Sequence, residues 1–61
     1  MTFKVGDIVE FRADLVGDYD ADYWRGTVVT IHSDSRRLVY TVRYGKDRKA
    51  YLFGREMRRR D

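Results

Sequence analysis

The chain of 61 residues has a single histidine, His32, and no cysteine. General acid–base or nucleophilic chemistry needs a positioned set of mutually supporting groups. No such set accompanies His32, which ends an apolar segment beside a polar run. We therefore expect a solvated histidine and no catalytic residues. Asp18, Asp20 and Asp22 have the alternate-carboxylate spacing that opens a calcium loop. That loop needs glycine at its sixth position and glutamate at its twelfth, where this chain has Tyr23 and Val29. With Asp14, these carboxylates read as a solvated loop tip. Neither a metal nor another cofactor is expected, since no thiolate and only one imidazole are on offer.

Recognition of phosphate is the chemistry that the residue types favour. There are 13 Lys and Arg against 10 Asp and Glu, a net charge of +3. The charge is divided unevenly: residues 1–31 carry −3 and residues 32–61 carry +6. Most of the cations are Arg, whose planar fork suits phosphates and aromatic faces better than the point charge of Lys. The candidate nucleic-acid contacts are Arg36, Arg37, Lys46, Arg48, Lys49, Arg55, Arg58, Arg59 and Arg60. They fall in two expected hairpin turns and the C-terminal segment, where side chains reach outward. Tyr44, Tyr51 and Phe53 interleave with them and could stack bases. The acidic first loop would repel phosphate, so a binding face has to exclude it.

These residues must be held by short strands. Residues 7–13 alternate Val9 and Phe11 against Glu10 and Arg12, the period of a half-buried strand, with Val5 expected to pack beneath its start. Residues 23–31 are rich in β-branched and aromatic types, and Gly26 within them suggests a bend or a close backbone approach. Leu38, Tyr40, Val42 and Tyr44 form one face of a third strand, with Val39, Thr41 and Arg43 on the other. Residues 33–37 have the composition of a hairpin loop, and residues 45–49 make a second reversal before a strand over residues 50–53. Residues 54–57 suit one helical turn, with Met57 plugging the core before a last strand at residues 58–60. No segment has an apolar stripe at helical spacing. The expected core is Val9, Phe11, Val28, Ile31, Leu38, Tyr40, Val42 and Met57.

This pattern predicts one all-β domain over residues 1–61: a small, strongly bent, five-stranded antiparallel barrel whose closure hides the sheet edges. Residues 5–9 (VGDIV), 23–28 (YWRGTV), 40–45 (YTVRYG) and the Met57-Arg58 pair resemble the SH3-like barrels of the Tudor and Agenet type over nearly all the chain. The resemblance implies an aromatic cage for a methylated Lys or Arg, with Trp24 and Tyr44 as two walls and Phe11 or Tyr19 as a third. Thr41 stands where cage-forming relatives have an aromatic, and Lys46 where they have Asn. A complete methyl-ammonium cage is therefore not expected.

A 61-residue fold without disulfides must gain its stability from a tightly wound barrel or from self-association. No stretch approaches the roughly 20 apolar residues of a membrane span, and no signal peptide is evident, so a soluble, cytoplasmic protein is expected. The sequence thus points to a non-catalytic binding module. Nucleic-acid binding through the Arg-rich half is the first reading; the alternative is docking on a larger protein through Trp24, Tyr44, Tyr51 and the basic hairpins.

Overall fold

The computed structural model describes residues 2–60, and of Asp34 the backbone alone. Five strands, β1 (Ile8–Arg12), β2 (Tyr23–Asp34), β3 (Arg37–Tyr44), β4 (Arg48–Phe53) and β5 (Met57–Arg59), form one antiparallel sheet in the order β4-β3-β2-β1-β5. Single 3-10 turns occupy Ala13–Leu15 and Gly54–Glu56. The class is all-β, as the alternation predicts. The expected closure is not met: no ladder joins β4 to β5 among the described residues, so the sheet is open and has two edges.

β2 is longer than expected and pairs with both halves of the sheet. Its first residues face β1, with Val9 opposite Gly26, and from Gly26 onward it faces β3, with Gly26 opposite Tyr44. Gly26 and Thr27 each pair with both partners. A Cβ at Gly26 would run into the Val42 side chain and lie 2.7 Å from the Arg43 carbonyl oxygen. Three residues on, the register shifts between Val28 and Thr30, leaving Val29 as the extra residue of a bulge, which bends and twists a strand locally.

The polar run at residues 33–37 is tighter than a five-residue loop. Asp34 pairs with Arg37, and only Ser35 and Arg36 turn the chain. Both lie in the left-handed region, with φ of 46° and 72°. Two consecutive positive φ values characterise a type I′ hairpin turn, whose right-handed twist matches the strands and for which Asn-Gly is the favoured pair.

The core is built from Phe3, Val9, Phe11, Ala13, Val28, Tyr40, Val42, Tyr44, Ala50, Leu52 and Met57. Two edge-to-face ring pairs organise it: Phe3 with Tyr40 at 5.4 Å between centroids, and Phe11 with Tyr44 at 5.2 Å. The N–H of Phe3 donates to the Tyr40 hydroxyl at 3.4 Å. Two expected core positions differ. Leu38 is 41% exposed and Ile31 is only half-buried at the margin of the core; both lie near the β2–β3 turn, beyond the bulge. Val5 is also outside, 62% exposed, and Phe3 takes the place foreseen for it. The reversal at residues 4–7 accounts for this: the Asp7 N–H donates to the Lys4 carbonyl at 3.0 Å and Gly6 has φ of 98°. The chain therefore turns over at Val5 instead of running straight into β1.

The close approach at Gly26 yields a stability test. Gly26→Ala should cost about 1–3 kcal/mol, the range for inserting a methyl into a packed site, because backbone atoms of β3 have to move. Thermal unfolding should register a fall of about 4–8 °C per kcal/mol in a domain of this size; an unchanged melting temperature would contradict the crossing geometry.

Candidate functional site

The acidic first half and the basic last half of the chain meet largely within the molecule. β5 lies against β1, so Arg58 faces Glu10. Its Nε and Nη2 both donate to Glu10 Oε1, at 3.0 and 2.6 Å, while Arg60 stands 3.8 Å from the other carboxylate oxygen. Arg59 lies on the Phe3 ring, 5.8 Å from its centroid, and donates to Asp7 and to the Thr2 carbonyl at 3.2 Å each. The three C-terminal arginines, expected as a phosphate-reaching tail, are thus engaged by carboxylates of the N-terminal half.

The aromatics expected as a binding surface divide three ways. Tyr44 is 6% exposed and belongs to the core, so it cannot offer a face to a partner. Trp24 is half-buried against Tyr44 at 5.3 Å, and its indole N–H donates to the Asp18 carbonyl at 2.9 Å. Arg48 is ion-paired to the Asp18 carboxylate and holds its guanidinium over the Trp24 ring, 5.8 Å from the centroid. The cation–π position that a methyl-ammonium ligand would use on Trp24 is filled by the chain's own arginine. Tyr51 alone stands open, 69% exposed. Asp18 is drawn inward by Arg48 while Asp20 and Asp22 stay exposed, and His32 lies exposed within β2 opposite Val39.

Arg36, Arg37, Lys46, Lys49 and Arg55 have no carboxylate within ion-pair distance among the described residues. Two of these, Arg37 and Arg55, meet where β3 begins and β4 ends. Arg36 is at the tip of the β2–β3 turn. Arg37 and Arg55 place their guanidinium carbons 5.5 and 5.6 Å from the centroid of Phe53. Arg37, Leu38, Tyr40, Phe53, Gly54 and Arg55 line a groove of about 330 Å³ with no carboxylate among its described lining residues, although the neighbouring Glu56 carboxylate accepts from the Phe53 N–H at 2.7 Å. Neighbouring grooves do contain carboxylates: Glu10 and Glu56 in one, which Arg55 also borders, and Asp14 and Asp22 in another. Along β4, Lys49, Tyr51 and Phe53 share one face by the two-residue strand period, which extends this surface along an edge strand.

The sequence contains all of these residues but not their grouping. Leu38 and Phe53 read as strand residues. The signal that could have separated the paired cations from the free ones is the match of Glu10 with Arg58 across β1 and β5, which needs the register of two strands distant in sequence.

The Glu10 carboxyl is held below its ordinary value of 4.5, chiefly by the hydrogen bond from Arg58, with burial opposing and the charges of Arg58, Arg60 and Arg25 adding to the lowering. A depressed carboxyl contributes stability that is present above its unfolded value and is lost as pH falls through the folded one. Glu10→Gln should therefore melt below the parent protein at pH 7, and the gap should narrow on acidification from about pH 4.5 downward. Melting curves of both proteins at pH 7 and pH 3 check this; a gap independent of pH would mean that the Arg58 contact is not what Glu10 contributes. Compared with family models, with curated proteins and with solved structures, the chain matches no family, no protein and no structure.

Proposed function

We propose that the chain is a non-catalytic module that binds nucleic acid through its phosphates. The observation that carries this reading is the pair of Arg37 and Arg55 at the Phe53 ring, neither of which has an ion-pair partner among the described residues, with the exposed Arg36 at the tip of the adjoining turn. The acidic first loop is the main objection to this reading, and the position of Asp18 answers part of it. Asp18 holds Arg48, next to the far end of β3 from Arg37. Along the eight residues of β3 the separation is about 20 Å at strand rise, roughly twice the Debye length at 0.1 M salt. The charge of Asp18 is thus largely screened from the Arg37 end.

Arg36 supports the same reading from a different direction. A left-handed conformation at a residue other than glycine costs of order 1 kcal/mol, and glycine suits that turn position best. Arginine there costs stability and leaves an exposed cation at the tip of the β2–β3 turn. The SH3-like, Tudor-type kinship is a further part of the proposal, supported by five antiparallel strands that cover the resembling segments. A methyl-ammonium cage is not, given Arg48 over Trp24, Thr41 buried between Thr30 and Tyr51 in the sheet, and Lys46 in the adjoining turn.

Four contacts, from Arg36, Arg37, Arg55 and Lys49, give a log K against log salt slope of about −3 to −4 on duplex DNA and about −2 to −3 on single strands. Fluorescence titration across salt concentrations measures it. The double variant Arg37→Ser/Arg55→Ser should weaken binding at least tenfold and flatten the slope by about 2, whereas Arg58→Ser should change binding less. Arg36→Gly should separate binding from stability, leaving the melting temperature unchanged or higher while affinity falls. Absence of binding to duplex or single strands at low salt and micromolar protein would end the nucleic-acid reading and leave protein docking.

A further inference from the structure

We infer that the groove between Arg37 and Arg55 seats an unpaired nucleobase together with its phosphate, so that single-stranded nucleic acid is the ligand of this surface; the inference rests on the phosphate-binding reading above. Charge alone does not explain the groove's composition. Between its two guanidinium groups lie the exposed Leu38 and the half-buried Phe53, with Tyr40, 1% exposed, beneath them. Leu38 is exposed there although it lies on a strand that buries Tyr40, Val42 and Tyr44. A phosphate backbone on its own would leave this apolar surface wet. An unpaired base supplies what this surface lacks, a flat π face that stacks on a guanidinium plane held at the Phe53 ring.

Size and position agree with that occupant. A volume of about 330 Å³ is at the lower end of small-ligand sites, which run from about 300 to 1,000 Å³. Gly54 at the margin has no side chain to narrow the entrance. The guanidinium groups beside Phe53 can reach the phosphate of the nucleotide whose base enters, and Arg36 on the adjacent turn can reach a neighbouring phosphate. Tyr51 and Lys49, further along the same face of β4, offer a second ring and cation to the next part of the strand. In a duplex the base faces are stacked on one another and this surface has nothing to receive.

The experiment compares labelled thymidine and uridine dodecamers with a dodecamer of abasic sites, which keeps the phosphates and removes the bases, and with a twelve-pair duplex. The expected result is that at least one base-bearing single strand binds about tenfold or more tightly than the abasic strand, as one stacked base allows; the two sugars distinguish DNA from RNA as the source. Leu38→Ser, at an exposed position, should bring that ratio close to one while leaving the salt slope intact. Phe53→Leu, checked by its melting curve, should do the same by removing the ring and keeping an apolar side chain. Equal affinity for the base-bearing and abasic strands, or tighter binding of the duplex, overturns the inference and leaves phosphate binding standing. Displacement of the strand by an oligoglutamate at equal charge and equal concentration overturns it too, because carboxylates bring charge without a ring. Failure of every nucleic acid to bind overturns both readings.

Discussion

A missing side chain at Gly26 is the constraint on which the sheet depends. β2 must serve two partners, and the exchange from β1 to β3 takes place where the backbone of β3 comes so close that a Cβ would lie 2.7 Å from the Arg43 carbonyl oxygen. Any larger residue would push β3 away and open the core between Val9, Val28 and Val42. With glycine in place, one twelve-residue strand can pair with β1, bend at the bulge and continue as the partner of β3. A chain of this length has no second layer and no disulfide, so its core must come from curling one sheet around a few large side chains. The ring pairs of Phe3 with Tyr40 and Phe11 with Tyr44 fill the interior that this bend creates.

The same topology decides which charges are available to a partner. Placing β5 beside β1 brings the cationic end of the chain onto the acidic residues of its beginning, and Arg58, Arg59 and Arg60 are answered by Glu10 and Asp7. Exposed pairs of this kind contribute little individually. Their larger effect is to neutralise the most conspicuous run of arginines in the sequence. Among the described residues, the cations without carboxylate partners include those at the β2–β3 turn, beside Phe53 and at Lys49 on β4. The charge division along the sequence is thus real, but its surface expression is displaced from the C-terminal segment toward the middle of the chain.

Strand positions were legible because side-chain alternation is a local signal, and the turn at Gly54–Glu56 followed from the break before Met57. The close approach at Gly26 was also readable, since glycine within a β-branched run has few other uses. Long-range register was not readable. Alternation could not show that the chain turns over at Val5 and buries Phe3, because both residues have the same parity. Nor could it show the bulge at Val29, after which Ile31 and Leu38 drift to the margin of the core. The candidate site suffered most, because whether an arginine is free or paired depends on contacts such as Glu10 with Arg58, separated by most of the chain. Tyr44 illustrates the same limit: its sequence neighbours suggest a rim aromatic, but its ring is enclosed by Phe11 and Trp24.

Phe53 makes the unpaired arginines usable. Two guanidinium groups beside one ring repel each other only weakly in water, while each gains about 0.5–1 kcal/mol from the ring's negative face. The ring therefore holds like charges together that would otherwise sample separate rotamers, and part of the side-chain ordering cost of binding is met before a ligand arrives. A phosphate within reach of both would exchange a weak repulsion for two charge-assisted contacts. Trp24 has the same kind of partner in Arg48, but there Asp18 already supplies the anion. The two aromatic–arginine arrangements thus differ in how their carboxylate is used: Asp18 is ion-paired to Arg48, whereas Glu56 accepts from the Phe53 N–H at 2.7 Å and pairs with neither Arg37 nor Arg55 among the described residues.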